Sequence, residues 1–508
     1  MPIKKVVVFV HGWSVTNTDT YGGLPVRLAS QAKAAGIDIR IVDIFLGKYI
    51  SFHDEVRVRD ISRAFRAAVE DQLSGVLQTG TRFVCITHST GGPVIRDWWH
   101  RYYETIPGSG ICPMSHLVML APANYGSALA QLGKGRLSRL KFWFGGVEPG
   151  QGVLDWLELG SAEAWDLNTS WIASDGKQIG PEGVFPFVLT GQSVDRALYD
   201  HINAYTGEIG SDGVVRVAAA NLCGTYIKLI QETPKPKSGK KSEFVANELK
   251  IESIMHAPNT ALRVISGKSH SGKDMGIMRS VRESPEDRKS QETVDAILSC
   301  IQVKTNEQFK SLCERFAAET ESVQKSEKLE YERRFLISPK YFIHDKCSMI
   351  IFRVRDNEDH PVTDYDLILT DGPNADPNHL PSGFFIDRQR NRINPETVTY
   401  FFNNDVMKGS KAVLDKDGNV LRKELGGAET FGFKIVARPD RGFVQYLPCE
   451  FKASKEMLDI ALQNNSTTLV DIRLQRVVRK NVFRVDKMGS DTKPVDFKDT
   501  KPGNEIVE

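Results

Sequence analysis

One serine-containing turn constrains the fold of this chain more than any other stretch. It is the sequence THSTGG at residues 87–92, which follows the apolar run 82–86 and precedes a segment with helical spacing at 93–99. This order predicts a buried strand, a tight turn and a helix. In a nucleophile elbow the serine takes a strained backbone conformation, so the residues two before and two after it must be small. Gly91 meets this requirement fully and Thr87 only in part, so an ordinary capped turn remains the alternative.

Strand-like and helix-like patterns alternate around this turn. Apolar, often β-branched runs lie at 5–10, 37–45, 82–86 and 116–120, and amphipathic segments lie at 24–35 and 60–77. Strands that alternate with helices predict a parallel sheet covered on both faces. Such sheets carry their sites at the carboxyl ends of the strands. We expect Ser89 and Trp13 to lie there.

With 508 residues the chain is too long for one ordinary domain. We expect an α/β domain at 1–303, a helical connector at 304–334, a β-rich, sandwich-like domain at 335–486 and a disordered tail at 487–508. The 66 Lys and Arg residues nearly balance the 64 Asp and Glu residues. A global electrostatic attraction to nucleic acid is therefore excluded.

The seven cysteines are widely spaced and form no CxxC pair, which predicts buried, reduced thiols rather than a disulfide framework or a zinc site.

Residues 1–8 lead directly into a strand, without the apolar segment and cleavage site of a signal peptide. No stretch approaches the roughly 20 apolar residues of a membrane span. We expect a cytoplasmic protein, or one exported by a route that reads no cleavable signal.

A serine hydroxyl becomes a nucleophile when a base takes its proton and a carboxylate holds that base in place. Asp212 lies in the turn GSDGVV at 210–215, and His270 lies in a Gly-rich loop after the strand predicted at 261–265. Together with Ser89 they follow the order nucleophile, acid, base. The other acids and histidines considered for these two positions are Asp195, Asp200, His201 and His256.

An oxyanion hole needs two backbone N–H groups. Thr90 follows the serine at the start of the predicted helix, and Trp13 follows His11 and Gly12 at the end of the first strand. We expect these two amides to form the hole and His11 to shape its turn, while His88 points elsewhere. This chemistry needs no metal and no cofactor.

The segment at about 124–172 interrupts the alternation and is expected to form a cap over the site. It is rich in large apolar residues, namely Leu137, Leu140, Phe142, Trp143, Phe144, Leu154, Trp156, Leu157, Trp165 and Trp171. Four cations are mixed with them: Lys134, Arg136, Arg139 and Lys141. The aromatic residues are expected either to pack as domain core or to rim a lipid entrance whose cations meet anionic head groups. In both cases the cluster indicates an apolar substrate.

Four motifs, HGW at 11–13, THSTGG at 87–92, APANYGS at 121–127 and GSDGVV at 210–215, together resemble the α/β-hydrolase lipases. The likeness is greatest to the lecithin:cholesterol acyltransferase-like and related phospholipase branch. It covers roughly the first three hundred residues and departs at Thr87, where the family usually has Gly or Ala. The resemblance implies a serine hydrolase of lipid acyl esters, a phospholipase or lipase. A small-ester hydrolase and a non-catalytic binding module on this fold are the alternatives.

The expected partners follow from the same reasoning. The substrate is expected to be a lipid or a membrane surface, and the C-terminal β domain is expected to bind a protein; no nucleic acid is expected. A lipase domain without a signal peptide, joined to a β-rich domain, is also similar to antibacterial lipase effectors delivered by type VI secretion.

Overall fold

The structure is a computed structural model, and it describes residues 5–11, 18–51, 53–106, 110–132, 150–194, 208–232, 236–237, 240–244, 247–332, 340–372, 374–442, 444–478 and 498. The strands are β1 (Lys5–His11), β2 (Ile39–Phe45), β3 (Phe83–His88), β4 (Met114–Leu120), β5 (Phe185–Thr190), β6 (Thr225–Gln231), β7 (Pro236–Lys237), β8 (Lys240–Phe244), β9 (Asn247–His256), β10 (Ala261–Val264), β11 (Leu329–Glu332), β12 (Lys340–Ile343), β13 (Cys347–Asp356), β14 (Tyr365–Thr370), β15 (Phe385–Arg390), β16 (Thr397–Asn403), β17 (Val413–Leu414), β18 (Val420–Arg422), β19 (Phe431–Ala437), β20 (Val444–Tyr446), β21 (Cys449–Ala453), β22 (Thr467–Leu474) and β23 (Arg476–Val478). The helices are α1 (Leu24–Ala34), α2 (Val58–Gln72), α3 (Ser74–Leu77), α4 (Gly91–Trp99), α5 (Gln151–Leu157), α6 (Ala162–Ala173), α7 (Val217–Ala220), α8 (Arg288–Gln302), α9 (Asn306–Ser326), α10 (Asn404–Met407) and α11 (Lys455–Ala461).

Six of these strands form a parallel sheet in the order β10-β5-β4-β3-β1-β2. Alternate residues of β1 point to opposite faces, so Val8 packs in one core with α2 and α4, and Phe9 packs in a second core with α1, α8 and α9. Because both faces of the sheet are covered, its central strands are continuous apolar runs. The predicted α/β fold class is confirmed.

Nine further strands form a mixed sheet in the order β14-β19-β21-β9-β6-β22-β13-β16-β15. This sheet is strongly curled. Six strands separate β14 from β16 in the sheet, yet the Tyr400 hydroxyl of β16 donates to the Leu367 carbonyl of β14 at 3.3 Å. Inside the curl, the rings of Phe352 and Phe433 lie 5.2 Å apart. The predicted β-rich C-terminal domain is confirmed, and it is one curled sheet around its own apolar core.

The apolar runs at 225–231 and 249–254 predict two more strands within the 1–303 domain, and both of these strands lie outside the parallel sheet. The hairpin of β6 and β9 falls within residues 1–303, yet it lies in the nine-stranded sheet, where β6 pairs in parallel with β22. Conversely, α9 lies in the segment predicted as a connector, but its Phe309 and Phe316 are buried in a core of the parallel sheet. An apolar pattern identifies a strand or a helix without indicating which layer it joins. The domain boundaries themselves remain a prediction.

The described parts of the cap are packed as core. Helices α5 and α6 carry five of the large apolar residues, and all five are buried: Leu154, Trp156, Leu157, Trp165 and Trp171. The Trp165 ring lies under the Arg353 guanidinium of β13 at 4.2 Å, so the cap contacts the nine-stranded sheet. The remaining five apolar residues and the four cations lie within 133–149, outside the described residues.

The described helices include none that is long and apolar enough to cross a membrane. All seven cysteines are free, and six of them are buried. The predicted C-terminal tail at 487–508 lies outside the described residues, apart from Lys498.

Candidate active site

Ser89 lies at the sharp turn between β3 and α4. Its φ is +52°, a left-handed conformation that costs about 1–3 kcal/mol in a residue other than glycine. The surrounding backbone maintains it, because the Ser89 N–H donates to the Leu120 carbonyl at 3.0 Å and the Gly92 N–H donates to the Ser89 carbonyl at 3.1 Å. The turn therefore has the strained geometry that the sequence predicts for an exposed nucleophile.

Thr87 fits into this turn because residue 91 is a glycine. A Cβ atom on Gly91 would lie 1.9 Å from the Thr87 Oγ1 atom. The threonine side chain thus occupies the space that a side chain at position 91 would need. In the described part of the chain the Thr87 hydroxyl has no hydrogen-bond partner, so steric fit accounts for its accommodation.

The structure brings Ser89, His270 and Asp212 together in one chain of hydrogen bonds. The Ser89 Oγ lies 3.0 Å from His270 Nε2, and His270 Nδ1 lies 2.9 Å from Asp212 Oδ2. His270 and Asp212 are both fully buried. A neutral histidine in this arrangement accepts from the serine and donates to the carboxylate.

Backbone groups fix the carboxylate. Asp212 Oδ1 accepts from the N–H groups of Val214 at 3.0 Å and Val215 at 2.8 Å, which leaves Oδ2 for the histidine. The His270 N–H also donates to the Asp212 carbonyl at 2.9 Å. Main-chain and side-chain hydrogen bonds therefore both fix the position of His270 relative to Asp212.

His256, the one alternative residue that the structure describes, is not part of this arrangement. His256 ends β9 and lies 3.2 Å from the Thr225 hydroxyl through Nδ1. Asp195, Asp200 and His201 lie outside the described residues. No group of three or more His, Cys, Asp or Glu side chains in the described ranges is arranged to hold a metal ion.

His88 contacts the base, which sequence reasoning did not anticipate. Its Nε2 lies 3.0 Å from the His270 carbonyl, and the two rings are 4.7 Å apart. Burial, followed by the neighbouring His270, lowers the pKa of His88 well below its ordinary value. His88 is therefore neutral, and its Nε2–H donates to that carbonyl. The sequence contains no spacing rule that signals such a contact; only the position next to the serine points to it.

The structure describes only one of the two candidate oxyanion donors. Thr90 is buried and is the N-cap residue of α4, so its amide lies at the positive end of that helix. Trp13 lies outside the described residues. At the end of β1, His11 Nε2 bonds Asp43 Oδ1 at 2.8 Å and its ring stacks on Phe45, a fixed arrangement consistent with the turn-shaping role expected of it.

A small apolar pocket opens beside the serine. It is lined by Ser89, Thr90, Ala123, Ser127, Leu129, Ala130, Leu154, Leu157, Val214 and Val215. The cap contributes its leucines, and the loop after Asp212 contributes its valines. The pocket therefore joins the nucleophile, the cap and the acid loop in one cavity.

Comparison with solved structures identifies the family. Phospholipase PlaB from Legionella pneumophila, solved in complex with thio-NAD, is 41% identical, with a TM-score of 0.81, over 99% of this chain and 100% of that one. A second structure of the same phospholipase gives 41% identity and a TM-score of 0.82 over the same shares. The chain belongs to the PlaB phospholipase family. Membership of the PlaB family makes it a carboxylic ester hydrolase, as the sequence predicts.

No protein-family model and no curated protein matches the chain. The PlaB match spans both sheets, so the likeness to PlaB includes the α/β hydrolase and the curled β domain. The resemblance given by the sequence motifs concerned only the hydrolase part.

Proposed function

We propose that this protein is a phospholipase that cleaves acyl esters through Ser89, His270 and Asp212. The observation that carries the proposal is the hydrogen-bond chain of 3.0 Å and 2.9 Å that ends on a serine in a strained turn. Similarity to phospholipase PlaB over the full chain supports the substrate class.

The reaction follows from the positions of these atoms. Ser89 Oγ attacks the acyl carbonyl carbon while its proton moves to His270 Nε2, and the Thr90 N–H, together with Trp13, stabilises the oxyanion. His270 then gives the proton to the leaving lysolipid oxygen, and an acyl-serine ester remains. Water, deprotonated by His270, attacks that ester; His270 then returns the proton to Ser89 Oγ as the fatty acid leaves. Asp212 holds the His270 tautomer through both steps.

The pocket beside Ser89 supports an apolar acyl group. Its lining is mostly aliphatic, which suits a fatty-acid chain. The cavity is partly open and has a volume of about 20 Å³, and Leu154 and Leu157 of the cap form part of its wall.

Replacing the nucleophile tests the proposal. Ser89→Ala is expected to lower kcat on a phospholipid by roughly a thousandfold or more, because the attacking oxygen is gone. The exposed Ser170→Ala on α6 is the matched control and is expected to keep wild-type turnover. A fluorophosphonate probe should label the wild type and Ser170→Ala and leave Ser89→Ala unlabelled. Undiminished turnover of Ser89→Ala would refute the assignment.

The proposal also includes the kind of ester that is cleaved and the contact of the cap cations with a membrane. Assaying phospholipids beside short soluble esters separates a phospholipase from a small-ester hydrolase. If Arg136, Arg139 and Lys141 meet a membrane, reversing their charges together should weaken binding to anionic vesicles, since each near-surface cation contributes ~1 kcal/mol there. The lecithin:cholesterol acyltransferase-like branch, delivery as a type VI effector, the cellular compartment and a protein partner of the β domain remain predictions from the sequence.

A further inference from the structure

The loop that carries Asp212 is held by residues of the C-terminal domain. A Cβ atom on Gly210 would lie 3.0 Å from Cys347 Sγ and 3.4 Å from Phe401 Cζ, so the Gly210 backbone lies close against the side chains of these two residues. Just after the loop, the Thr467 hydroxyl of β22 donates to the Ala218 carbonyl at 2.7 Å. The acid loop thus packs on the nine-stranded sheet at both of its ends.

One buried arginine joins the two parts. Arg216 is 1% exposed, and its Nε and Nη2 donate to the two carboxylate oxygens of Glu208 at 2.8 Å each. Nη2 also donates to Asp387 Oδ2 of β15 at 2.5 Å. The guanidinium lies 4.2 Å from the centre of the Phe401 ring. This planar, forked set of donors is specific to arginine, because lysine presents a point charge.

The backbone of Arg216 closes the acid loop. Ser211 and Arg216 form an antiparallel bridge, and the Val217 N–H donates to the Gly210 carbonyl at 2.9 Å. Inside this closure lie the amides of Val214 and Val215, which hold Asp212 Oδ1. A shift of the Arg216 backbone would therefore move the amides that orient the carboxylate.

We propose that Arg216 is a positioning residue for the Asp212–His270 pair, and that the C-terminal domain acts on the active site through the Asp387 carboxylate. The inference rests on the proposed function, since it assigns a role relative to the proposed acid. Asp387 anchors the guanidinium from β15 while Glu208 anchors it from the hydrolase side. The β domain thereby becomes a structural part of the catalytic centre.

Substitution of Asp387 tests this in the full-length protein. Asp387→Ala removes an acceptor and leaves Arg216 paired with Glu208, so the fold is retained. It is expected to lower kcat on a short soluble ester about tenfold with KM changed less than twofold, because substrate contacts are untouched. Asp387→Asn keeps an acceptor at the same place and is expected to recover most of the loss. Arg216→Lys should behave like Asp387→Ala.

A double-variant cycle separates positioning from general damage. Asp212→Asn by itself is expected to lower kcat by at least a hundredfold, because the histidine loses its orienting carboxylate. In that background Asp387→Ala should cost less than a further twofold, since a residue that acts through Asp212 has nothing left to position.

A second interdomain ion pair provides the matched control. Arg392 bonds the buried Glu158, which also accepts from the Arg392 backbone N–H at 2.8 Å and so keeps a partner when the side chain is shortened. Arg392→Gln is expected to leave kcat within twofold of the wild type.

The outcomes are distinct. An unchanged kcat in Asp387→Ala, or a tenfold loss that persists in the Asp212→Asn background, would overturn the positioning role. An equal loss in Arg392→Gln would also overturn it, because any interdomain ion pair would then matter. Full activity of Asp212→Asn would instead refute the proposed function.

Discussion

The nucleophile turn and the acid loop lie in the same site but are built in opposite ways. The turn at Ser89 is fixed by neighbours in its own sheet, through strand β4 and the Thr87–Gly91 contact. The loop at Asp212 is fixed by residues from the other end of the chain, among them Asp387 and Phe401. One half of the site is thus local in sequence, and the other depends on the second domain.

This difference explains how a β domain can belong to a hydrolase without contacting the nucleophile. Strain at a serine can be maintained over a few residues, because steric exclusion acts at short range. Orientation of a buried carboxylate needs a fixed frame, which here includes an arginine with two anions. Each half can therefore be disturbed by itself.

The largest effect is expected from breaking the local half with Gly91→Ala. The new Cβ would overlap the Thr87 hydroxyl, and the serine would move from its position. We expect a loss of kcat of roughly a thousandfold, approaching removal of the nucleophile. Thr87→Ala together with Gly91→Ala should restore part of the activity, because the 1.9 Å overlap disappears. If Gly91→Ala were fully active, the steric account of the turn would be wrong.

Acid should destabilise the hydrolase domain and the C-terminal domain in different pH windows. Burial lowers the pKa of His116 in β4 to about 4 from 6.5, against the hydrogen bond it makes to the Val303 carbonyl. The unfolded chain then binds the proton first, so stability falls as pH drops from about 6.5 to about 4, by about 3 kcal/mol. His116→Gln should remove that loss.

In the C-terminal domain stability is also lost as pH falls, but the loss begins at a lower pH. Burial raises the pKa of Asp345, but hydrogen bonds from Arg422, Lys328 and Asn403 outweigh burial and lower it below its ordinary value. Its stabilisation is present above about pH 4 and is lost below it. Every tryptophan precedes residue 172, so tryptophan fluorescence reports the unfolding of the hydrolase domain. Circular dichroism reports the unfolding of both domains. Coincident acid transitions, unaltered by His116→Gln, would contradict the two-window prediction.

A tenfold effect is expected from disturbing the distant half with Gly210→Ala. The added methyl group would press on Cys347 and Phe401 and displace the acid loop, with loss of kcat. Gly36→Ala is the control, because its φ of +75° resembles the +68° of Gly210 but nothing lies within 4 Å of its Cβ. Strain without contact should leave kcat unchanged. Equal losses in the two variants would show that backbone strain, not the domain contact, matters.

The smallest effect is expected from His88, which joins the nucleophile turn to the His270 loop. His88→Phe keeps a ring but removes the donor to the His270 carbonyl, and one such hydrogen bond contributes about 1 kcal/mol. We therefore expect kcat to fall about fivefold. His100→Phe, at the end of α4, is the comparison and should not alter kcat. A tenfold or greater loss at His88 would mean that it does more than hold the base.

The sequence predicts the local half of the site better than the distant half. The spacing around Ser89 and the order of Asp212 and His270 led to three residues that the structure brings within hydrogen-bond distance. Arg216 was not singled out, because its partners Glu208 and Asp387 lie 8 and 171 residues away in the chain and no local pattern connects them.

The same limit applies to the sheets. The apolar runs at 225–231 and 249–254 predict the strands β6 and β9, but β6 also pairs with β22 and β9 also pairs with β21, both of which come much later in the chain. Periodicity records which face of a strand is buried and leaves its neighbour undetermined. The PlaB comparison and the structure supply that information.

The position of β6 also governs when this enzyme can become active during its synthesis. Because β6 lies between β9 and β22, the ribosome must release residues 467–474 before that strand gains its second partner. Domains usually fold one after another as they emerge. Here the hydrolase half, although made first, is expected to wait for the last strands of the β domain. Ribosome-bound chains stalled before residue 467 should therefore lack ester hydrolysis, and hydrolysis by such chains would contradict this expectation.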